Sequence, residues 1–329
     1  MLTMNELQKQ AFEYYHAQQY AEMSNLLTRE MDVFPVEALS IYYNWQMCAA
    51  ALQGKVHQAL TYFQMAVDAG CWYGRHALVD DPDLAALHGN PEFERLAQIS
   101  QDRLSEAQAN ASPVLKVFPP QNAESDLDAG IGYPWLMLLH GNSSNLLPHN
   151  LDLLLTNLQP ASDRGWLIAL PQSSQLLNKD SYVWNDLDWS INEIQGHLET
   201  IGTEYPVMPA HGILSGYSMG GGLALYMALT GMLPDPFAVR SVTVAAPWWG
   251  NIEELEAAIA AGGADHLRIA MIVSQNDVDC HRVAVAVAKA LKLRGLSAAL
   301  VVTDEPDHRF PEGFRDLLTV ELNAVAAMG

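Results

Sequence analysis

Short apolar runs that recur from residue 114 onward constrain the fold of this chain more than any other feature. Most of them are apolar throughout, as strands covered on both faces of a sheet must be. Helical patterns separate the later runs, at residues 252–261, 283–294 and 314–327. Alternation of this kind predicts a mostly parallel sheet with right-handed crossovers and helices on both faces. The predicted strands are residues 114–118, 135–139, 166–170, 213–214, 239–245, 269–273 and 298–303.

Residues before about 103 carry a different periodicity, with apolar residues at helical spacing and no strand pattern. The stretch 105–113 that follows is small and polar and ends in proline, as boundaries between domains often do. With 329 residues, half of them apolar, the chain is long enough for about two domains. The sequence therefore predicts an all-α domain over residues 1–108 and an α/β domain over residues 113–329.

Acidic residues dominate the charge balance, and the formal net charge is −21. This charge disfavours nucleic acid and anionic membrane surfaces as partners, because both would be repelled by the mean field of the protein. The N-terminal residues lack the apolar core of a secretory signal, and no apolar run approaches the roughly 20 residues that span a bilayer. We therefore expect a cytoplasmic protein with no membrane insertion and no nucleic-acid partner.

The segment 216–220 reads Gly-Tyr-Ser-Met-Gly and lies between an apolar strand pattern at 213–214 and a helix-forming run at 223–229. This is the pattern of a strand, a tight turn and a helix. A serine at the tip of such a turn is forced into an uncommon backbone conformation, and glycines two residues either side remove the Cβ atoms that would collide there. The pattern predicts that the hydroxyl of Ser218 is presented as a nucleophile.

Three further chemistry-bearing side chains, Asp277, His308 and His140, lie in the segments that follow predicted strands. Ligands of a parallel sheet bind beyond the carboxyl ends of its strands, so these positions are expected to converge. A serine hydroxyl is a weak nucleophile that needs an adjacent base, and a histidine acting as that base needs an orienting carboxylate. The chain order Ser218, Asp277, His308 is the order of nucleophile, acid and base in α/β-hydrolases.

On these motifs, residues 113–329 resemble an α/β-hydrolase domain, most closely the short esterase and thioesterase-like hydrolases. Segment 139–141 resembles the oxyanion-loop motif of that family, segment 216–220 its nucleophile elbow and segment 306–311 its histidine loop. The resemblance implies an α/β-hydrolase fold, with a mostly parallel sheet flanked by helices, following an N-terminal all-α helical-repeat domain.

The resemblance also implies a role for each site residue. Ser218 is expected to be the nucleophile, His308 the general base and then the general acid, and Asp277 the carboxylate that orients the imidazole. The backbone N–H groups of Asn142 and Met219 are expected to donate to the oxyanion, each worth on the order of 3 kcal/mol of barrier.

The residues leave several alternatives open. Asp279 competes with Asp277 as the acid, because residues 274–276 are Ser-Gln-Asn where the family commonly has a small glycine. Ser218 could be an ordinary serine that caps the following helix, and His308 could be a surface-loop histidine.

Several aromatic residues near the predicted strand ends also have two interpretations. Trp248 and Trp249 either line an acyl pocket or pack under a loop, and Trp184 and Trp189 carry the same ambiguity. His140 is interpreted as structural, because it precedes Gly141 at the end of a core strand.

No metal or cofactor site is predicted. Cys48, Cys71 and Cys280 are widely spaced, so they are interpreted as core or incidental thiols, and the histidines form no metal-ligand pair. Cys280 and His281, at a predicted helix start, are expected to have no chemical role. A glycine-rich phosphate cradle is not indicated either.

The N-terminal region carries a partial repeat pattern. Ala59, Phe63 and Ala66 match the second-helix spacing of a tetratricopeptide repeat, whereas an earlier copy matches poorly. About three such units are needed for stability, so the short array is expected to rely on the α/β domain for support. The helical domain could serve as a site for a protein partner, a wall over the active site or a dimer interface.

Together these observations predict a serine hydrolase that cleaves small carboxylic esters or thioesters through an acyl-enzyme. A peptidase of the same fold is the alternative within enzymes, because hydrolysis of an amide uses the same chemistry. The alternative from another class is a scaffold protein in which the helical domain binds a partner and the hydrolase fold is inactive.

Overall fold

The computed structural model describes residues 2–120, 132–306 and 308–328, and the chain divides into two compact units. The helical unit comprises Met1–Ala111 together with Gln175–Tyr182. The α/β unit comprises Ser112–Ser174 together with Val183–Gly329. Within the described ranges, no helix combines the length and the hydrophobicity needed to cross a bilayer.

Helices separated by short turns build the helical unit, as its periodicity predicts. Ala59, Phe63 and Ala66, which carry the repeat spacing, are fully buried in the helix Val56–Asp68. The α-helices are Met4–His16, Tyr20–Arg29, Leu39–Leu52, Val56–Asp68, Arg75–Leu78 and Pro91–Asn110, and the 3₁₀ segments are Met31–Val33, Val36–Ala38 and Pro82–Leu87.

The last helix of this unit extends further than the sequence predicts. Asn90 caps it by accepting from the N–H groups of Glu92 and Phe93, and Pro91 occupies the first helical position, where its missing N–H costs nothing. The helix continues to Asn110. Residues 105–110 of the small, polar stretch are therefore helical, because small and polar side chains remain compatible with an exposed helix.

A β-hairpin from the middle of the chain completes the helical unit. Its strands are Leu176–Asn178 and Ser181–Tyr182, which the sequence leaves unassigned. Asn178 forms an isolated antiparallel bridge with Tyr73 and accepts, through Oδ1, from the Gly74 N–H at 2.9 Å. The Gln108 side chain accepts from the Leu176 N–H at 2.8 Å. The chain thus leaves the α/β unit after Ser174, contributes a hairpin to the helical unit, and returns at Val183.

A seven-stranded sheet forms the centre of the α/β unit. Its strands are β1 Val114–Phe118, β2 Tyr133–Leu139, β3 Leu167–Gln172, β6 Val207–Tyr217, β7 Val239–Ala245, β8 Arg268–Ser274 and β9 Ala298–Thr303, whereas β4 Leu176–Asn178 and β5 Ser181–Tyr182 form the hairpin. The order in the sheet is β1-β3-β2-β6-β7-β8-β9. Strand β1 runs antiparallel to β3, and the remaining pairs are parallel, so the predicted mostly parallel sheet is confirmed.

Helices cover both faces of this sheet, which confirms the second part of the prediction. Side chains alternate between the faces along a strand, so Met137 belongs to one apolar cluster and Leu138 to the other. The first cluster involves the helices Leu187–Glu204, Met219–Thr230, Ile252–Ala260 and Val278–Leu293, and the second involves Pro148–Ser162 and Phe314–Ala326. Strands buried on both faces explain the continuous apolar runs of the sequence.

Candidate active site

Ser218 occupies the junction between β6, which ends at Tyr217, and the helix that begins at Met219. Its backbone angles are φ 55° and ψ −123°, a region that side-chain-bearing residues rarely adopt. Three hydrogen bonds hold it there. The Ser218 N–H donates to the Ala245 carbonyl at 3.0 Å, and the Ser218 carbonyl accepts from the N–H groups of Gly222 and Trp248 at 3.0 and 2.9 Å. A strained residue persists when its surroundings over-determine it, as they do here.

The flanking glycines are required by close backbone packing. A Cβ atom on Gly216 would lie 2.3 Å from the Gly220 carbonyl oxygen, and one on Gly220 would lie 2.3 Å from the His140 carbonyl oxygen. Side chains cannot be accommodated at such distances. The glycines therefore let the start of the helix approach the loop that follows β2.

His308 bridges the serine and a carboxylate. Its Nε2 lies 2.8 Å from Ser218 Oγ, and its Nδ1 lies 2.5 Å from Asp277 Oδ2. Because Nδ1 faces a carboxylate, which can only accept, the proton of the neutral imidazole resides on Nδ1. Nε2 is then the acceptor for the serine hydroxyl. This arrangement can remove a proton from Ser218 and return it to a leaving group.

The two side chains of the His308–Asp277 pair differ in their exposure to solvent. The Asp277 side chain is 9% exposed, whereas that of His308 is 42% exposed. The ring of Tyr217 stacks on the imidazole with centroids 5.2 Å apart. The carboxylate is thus shielded from water, while the imidazole remains accessible from one side.

The structure distinguishes the two candidate carboxylates. Asp279 lies at the surface, 66% exposed, with an oxygen 3.4 Å from the Arg282 guanidinium. Asp277 is the one that contacts His308. It also accepts from the Cys280 N–H at 3.4 Å, which caps the helix Val278–Leu293. Asp277 can therefore cap the helix through one carboxylate oxygen and contact the imidazole through the other.

Ser274 and Asn276 belong to the segment where α/β-hydrolases commonly have a small glycine, and both form hydrogen bonds to the loop before His308. Asn276 Nδ2 donates to the carbonyls of Asp304 and Glu305 at 3.0 and 2.9 Å, and the Ser274 hydroxyl donates to the Glu305 carbonyl at 2.5 Å. These bonds tie the loop after β8 to the segment that leads to His308. We call these three hydrogen bonds the clasp. The sequence analysis did not predict it, although two hydrogen-bonding side chains in place of a small glycine could have suggested it.

Cys280 was expected to have no chemical role, but its thiol touches the imidazole. Sγ lies 3.6 Å from His308 Nδ1, and the side chain is buried. Burial raises the pKa of the thiol, so it remains protonated at neutral pH. The contact arises because a helix start and a loop 28 residues apart meet at the Asp277–His308 pair, and the absence of a chemical role for Cys280 stays a prediction.

Two clusters in the described part of the chain carry donor atoms of the types that bind metals, Asp277–Cys280–His308 and Cys48–Asp81–Asp83. In the first, the same atoms form the hydrogen bonds of the site just described. In the second, Asp83 accepts from the Tyr15 hydroxyl at 3.1 Å. Protein groups thus already engage donor atoms of both clusters.

The loop after β2 runs beside the serine. A Cβ atom on Gly141 would lie 3.3 Å from Ser218 Cβ and 2.8 Å from Tyr217 Cδ1. Asn142, which follows directly, is exposed, and Met219 begins the helix next to Ser218. Both predicted oxyanion donors therefore belong to segments adjacent to the hydroxyl.

The tryptophans divide into different environments. Trp249 stacks on Tyr226 and donates to Glu254, which is a packing role. Trp184 stacks on His140. Trp248 and Trp189 are 38% and 41% exposed, and Trp248 follows the serine-supporting strand β7.

Comparison with known proteins supports the architecture. Residues 3–108 match the family model described as "A/B hydrolase-like, N-terminal domain". No curated protein matches the sequence. A solved structure of an uncharacterized protein from Bacillus cereus ATCC 10987 is 21% identical, covers 99% of this chain and 100% of its own, and has a TM-score of 0.52.

Esterase PE8, another solved structure, is 18% identical over 65% of this chain and 99% of its own, with a TM-score of 0.50. At such identities the likeness concerns the fold. The chain therefore has the α/β-hydrolase fold, preceded by a helical region that matches the N-terminal domain of α/β-hydrolase-like proteins.

Proposed function

We propose that this protein is a serine hydrolase that cleaves small carboxylic esters or thioesters through an acyl-enzyme on Ser218. The observation that carries the proposal is the chain of contacts from Ser218 Oγ to His308 Nε2, 2.8 Å, and from His308 Nδ1 to Asp277, 2.5 Å. The fold that the chain shares with esterase PE8 also supports it.

In the first half-reaction, Ser218 Oγ attacks the carbonyl carbon while His308 Nε2 takes the hydroxyl proton. Asp277 stabilises the resulting imidazolium and holds its orientation. When the tetrahedral intermediate collapses, the bond to the leaving group breaks, and Nε2 returns the proton to the departing alcohol or thiol. The acyl group remains on Ser218.

In the second half-reaction, water replaces the leaving group. His308 Nε2 removes a proton from water as its oxygen attacks the acyl carbon, and later returns that proton to Ser218 Oγ. The products are the carboxylic acid and the regenerated serine. His308 Nε2 thus acts first as the base and then as the acid in each half-reaction.

The negative charge that develops on the carbonyl oxygen requires donors in place before reaction. We assign this role to the backbone N–H groups of Asn142 and Met219. The helix that begins at Met219 adds the positive end of its dipole near the same point. Preorganised donors of this kind are commonly the largest contribution to such catalysis.

Labelling with a fluorophosphonate tests the proposal directly. The wild-type protein is expected to take up one equivalent of probe, Ser218→Ala none, and Ser105→Ala, which removes an exposed serine of the helical unit, one equivalent as before. A folded wild-type protein that stays unlabelled would refute the proposal. That result would favour the scaffold alternative, in which the helical domain binds a partner.

Turnover of short-chain nitrophenyl esters, aliphatic thioesters and peptide amides separates the substrate classes. We expect esters and thioesters to be hydrolysed and amides to be hydrolysed far more slowly. Faster turnover of the amides would identify a peptidase instead.

A further inference from the structure

Cys280 brings a third donor atom to the Asp277–His308 pair. Its Sγ lies 3.6 Å from His308 Nδ1, the nitrogen that faces Asp277 Oδ2 at 2.5 Å. The thiol sulfur, the imidazole nitrogen and a carboxylate oxygen all lie within 4.8 Å of one another. The proposed hydrolysis uses the imidazole and the carboxylate but gives the thiol no part.

Ordered elements hold the three donors in place. Asp277 and Cys280 stand at the start of the helix Val278–Leu293, where the carboxylate accepts from the Cys280 N–H. His308 follows β9 in a loop that the clasp ties to the loop after β8. Cys280 is buried and Asp277 is 9% exposed, whereas the imidazole is 42% exposed and leaves one side open to an approaching ion. The net charge of −21 also raises the local concentration of cations.

The spacing of the donors fits a tetrahedral zinc ion after one small adjustment. Bonds of about 2.3 Å to sulfur and about 2.1 Å to nitrogen and oxygen place sulfur about 3.6 Å from nitrogen, and nitrogen about 3.4 Å from oxygen. The first separation is already present between Cys280 and His308. The second requires the Asp277 carboxylate to withdraw from Nδ1 by about 0.9 Å, which replaces their hydrogen bond by bonds to the ion.

We infer that Asp277 Oδ2, Cys280 Sγ and His308 Nδ1 form an inhibitory site for a thiophilic divalent cation such as Zn²⁺. Water would complete the coordination. The inference rests on the proposed function, because the ion acts by disabling the proposed base. It gives Cys280 a role as a ligand, which the wide spacing of the cysteines in the sequence did not suggest.

The bound ion changes which nitrogen of His308 carries the proton. A metal on Nδ1 occupies the lone pair there, so the single proton of the neutral ring resides on Nε2. The thiol binds as the thiolate and gives its proton to solvent, so one proton is released for each ion bound. Nε2–H can then only donate towards Ser218 Oγ and cannot accept the hydroxyl proton. The ion therefore abolishes general-base catalysis from the side of the ring that faces away from the serine.

The cluster Cys48–Asp81–Asp83 of the helical unit provides an internal comparison. It also combines a buried thiol with carboxylates, but it offers no imidazole. Asp81 accepts from the Asp83 N–H at 2.9 Å, and Asp83 accepts from the Tyr15 hydroxyl. Because zinc favours nitrogen and sulfur donors, we expect the tighter binding at Cys280.

Zinc titration of ester turnover tests the inference, with each protein compared with its own rate in the presence of a chelator. Zn²⁺ should lower the kcat of the wild-type protein with KM changed by less than about twofold, and the chelator should restore the rate. Cys280→Ser keeps the size of the side chain but offers a poor ligand, so at least about tenfold more zinc should be needed. Cys48→Ser and Asp279→Asn should respond like the wild type, which excludes the other cluster and the surface charge as the cause.

Cobalt provides a readout that does not depend on turnover. Co²⁺ should bind the wild-type protein and Cys48→Ser with a thiolate-to-metal charge-transfer absorption, and this absorption should be absent from Cys280→Ser. Zinc inhibition that is undiminished in Cys280→Ser would overturn the inference. So would a wild-type protein that shows no such absorption.

The tautomer of His308 can be followed in the unmodified protein, which keeps the inference testable even where Cys280→Ser fails to fold. NMR of the ¹⁵N-histidine-labelled protein should show the ring proton on Nδ1 without metal and on Nε2 with zinc. A proton that stays on Nδ1 at saturating zinc would overturn the inference.

Fluorophosphonate labelling separates failure of this inference from failure of the proposed function. Zinc should protect Ser218 from the probe, because activation of the hydroxyl requires Nε2 as the base. Labelling at the same rate with and without zinc would refute the inhibitory site alone. A folded protein that is not labelled in the presence of the chelator would refute the proposed function, whereas the cobalt absorption would still report on the metal site.

Discussion

Gly220→Ala should damage catalysis through a displacement of backbone. The added Cβ would lie 2.3 Å from the His140 carbonyl oxygen and 2.5 Å from that of Leu139. Real Cβ atoms do not approach closer than about 3.0 Å, so the helix start and the loop after β2 must separate by about 0.7 Å or more. Both atoms are backbone, and no rotation of a side chain can relieve the contact.

The magnitude follows from what this separation moves. The helix start carries Met219 and the loop carries Asn142, the two proposed oxyanion donors. Since a misplacement of about 1 Å can cost about 10²-fold in rate, we expect kcat on a nitrophenyl ester to fall about 10- to 100-fold. Overpacking of this kind should also lower the free energy of unfolding by about 1–3 kcal/mol.

Gly196→Ala is the matched control. Gly196 lies within the helix Leu187–Glu204, and a Cβ there would meet nothing within 4 Å. Alanine favours helix over glycine by about 0.5–1 kcal/mol, so Gly196→Ala should raise the melting temperature slightly and leave kcat unchanged. A Gly220→Ala protein with wild-type kcat would show that the contact between helix start and loop does not position the donors, and would refute the reasoning.

Three further predictions concern the carboxylate, the clasp and pH. Asp277→Asn should lower kcat by about 10⁴-fold, by analogy with the same change in a serine protease, whereas Asp279→Asn should leave ester turnover near wild type. Asn276→Ala removes the two bonds to the Asp304 and Glu305 carbonyls, so urea unfolding should show a loss of about 1–2 kcal/mol, with a lower kcat. Burial lowers the pKa of His197 to about 4, below its value of about 6.5 in the unfolded chain. The unfolded state therefore binds a proton more readily than the folded state does. As a result, the free energy of unfolding falls as the pH falls below about 6.5. Between pH 7.5 and 5.5 the free energy of unfolding should decrease by about 1 kcal/mol from this residue, and His197→Phe should flatten that dependence in urea titrations.

Much of the sheet was predictable because its strands are apolar on both faces. The predicted ranges 239–245 and 298–303 coincide with β7 and β9. Strand β6 was predicted only at 213–214, yet it begins at Val207. Its first half contains Pro209 and an irregularity in its pairing with β2, so the alternating or continuous apolar pattern is absent there.

Two helices of the α/β unit escaped prediction for a related reason. Pro148–Ser162 contains Pro160, and Leu187–Glu204 contains Gly196 and Gly202, residues that interrupt a helical pattern. Packing against the sheet outweighs these local preferences, because each helix buries an apolar face, such as Ile194, Leu198 and Ile201 in the second of them.

The convergence of the site could be anticipated because parallel strands end at one edge of a sheet, which places Ser218, Asp277 and His308 together. The supporting contacts could not. Asn276 acts on backbone carbonyls, and the direction of a peptide unit in a loop leaves no pattern in the sequence. The sequence shows which side-chain donors and acceptors are available, whereas only the folded backbone shows which groups they bind.

Because of the hairpin Leu176–Tyr182, the helical unit is built from two segments that are far apart in the chain. A ribosome that has synthesised residues up to 111 has not yet made the strand residue Asn178 that bridges Tyr73, so this unit reaches its final set of contacts only after the first three sheet strands have also been translated. Loss of residues 1–111 alone would therefore leave the eight residues Gln175–Tyr182, inserted after β3, without the groups that they contact in the helical unit.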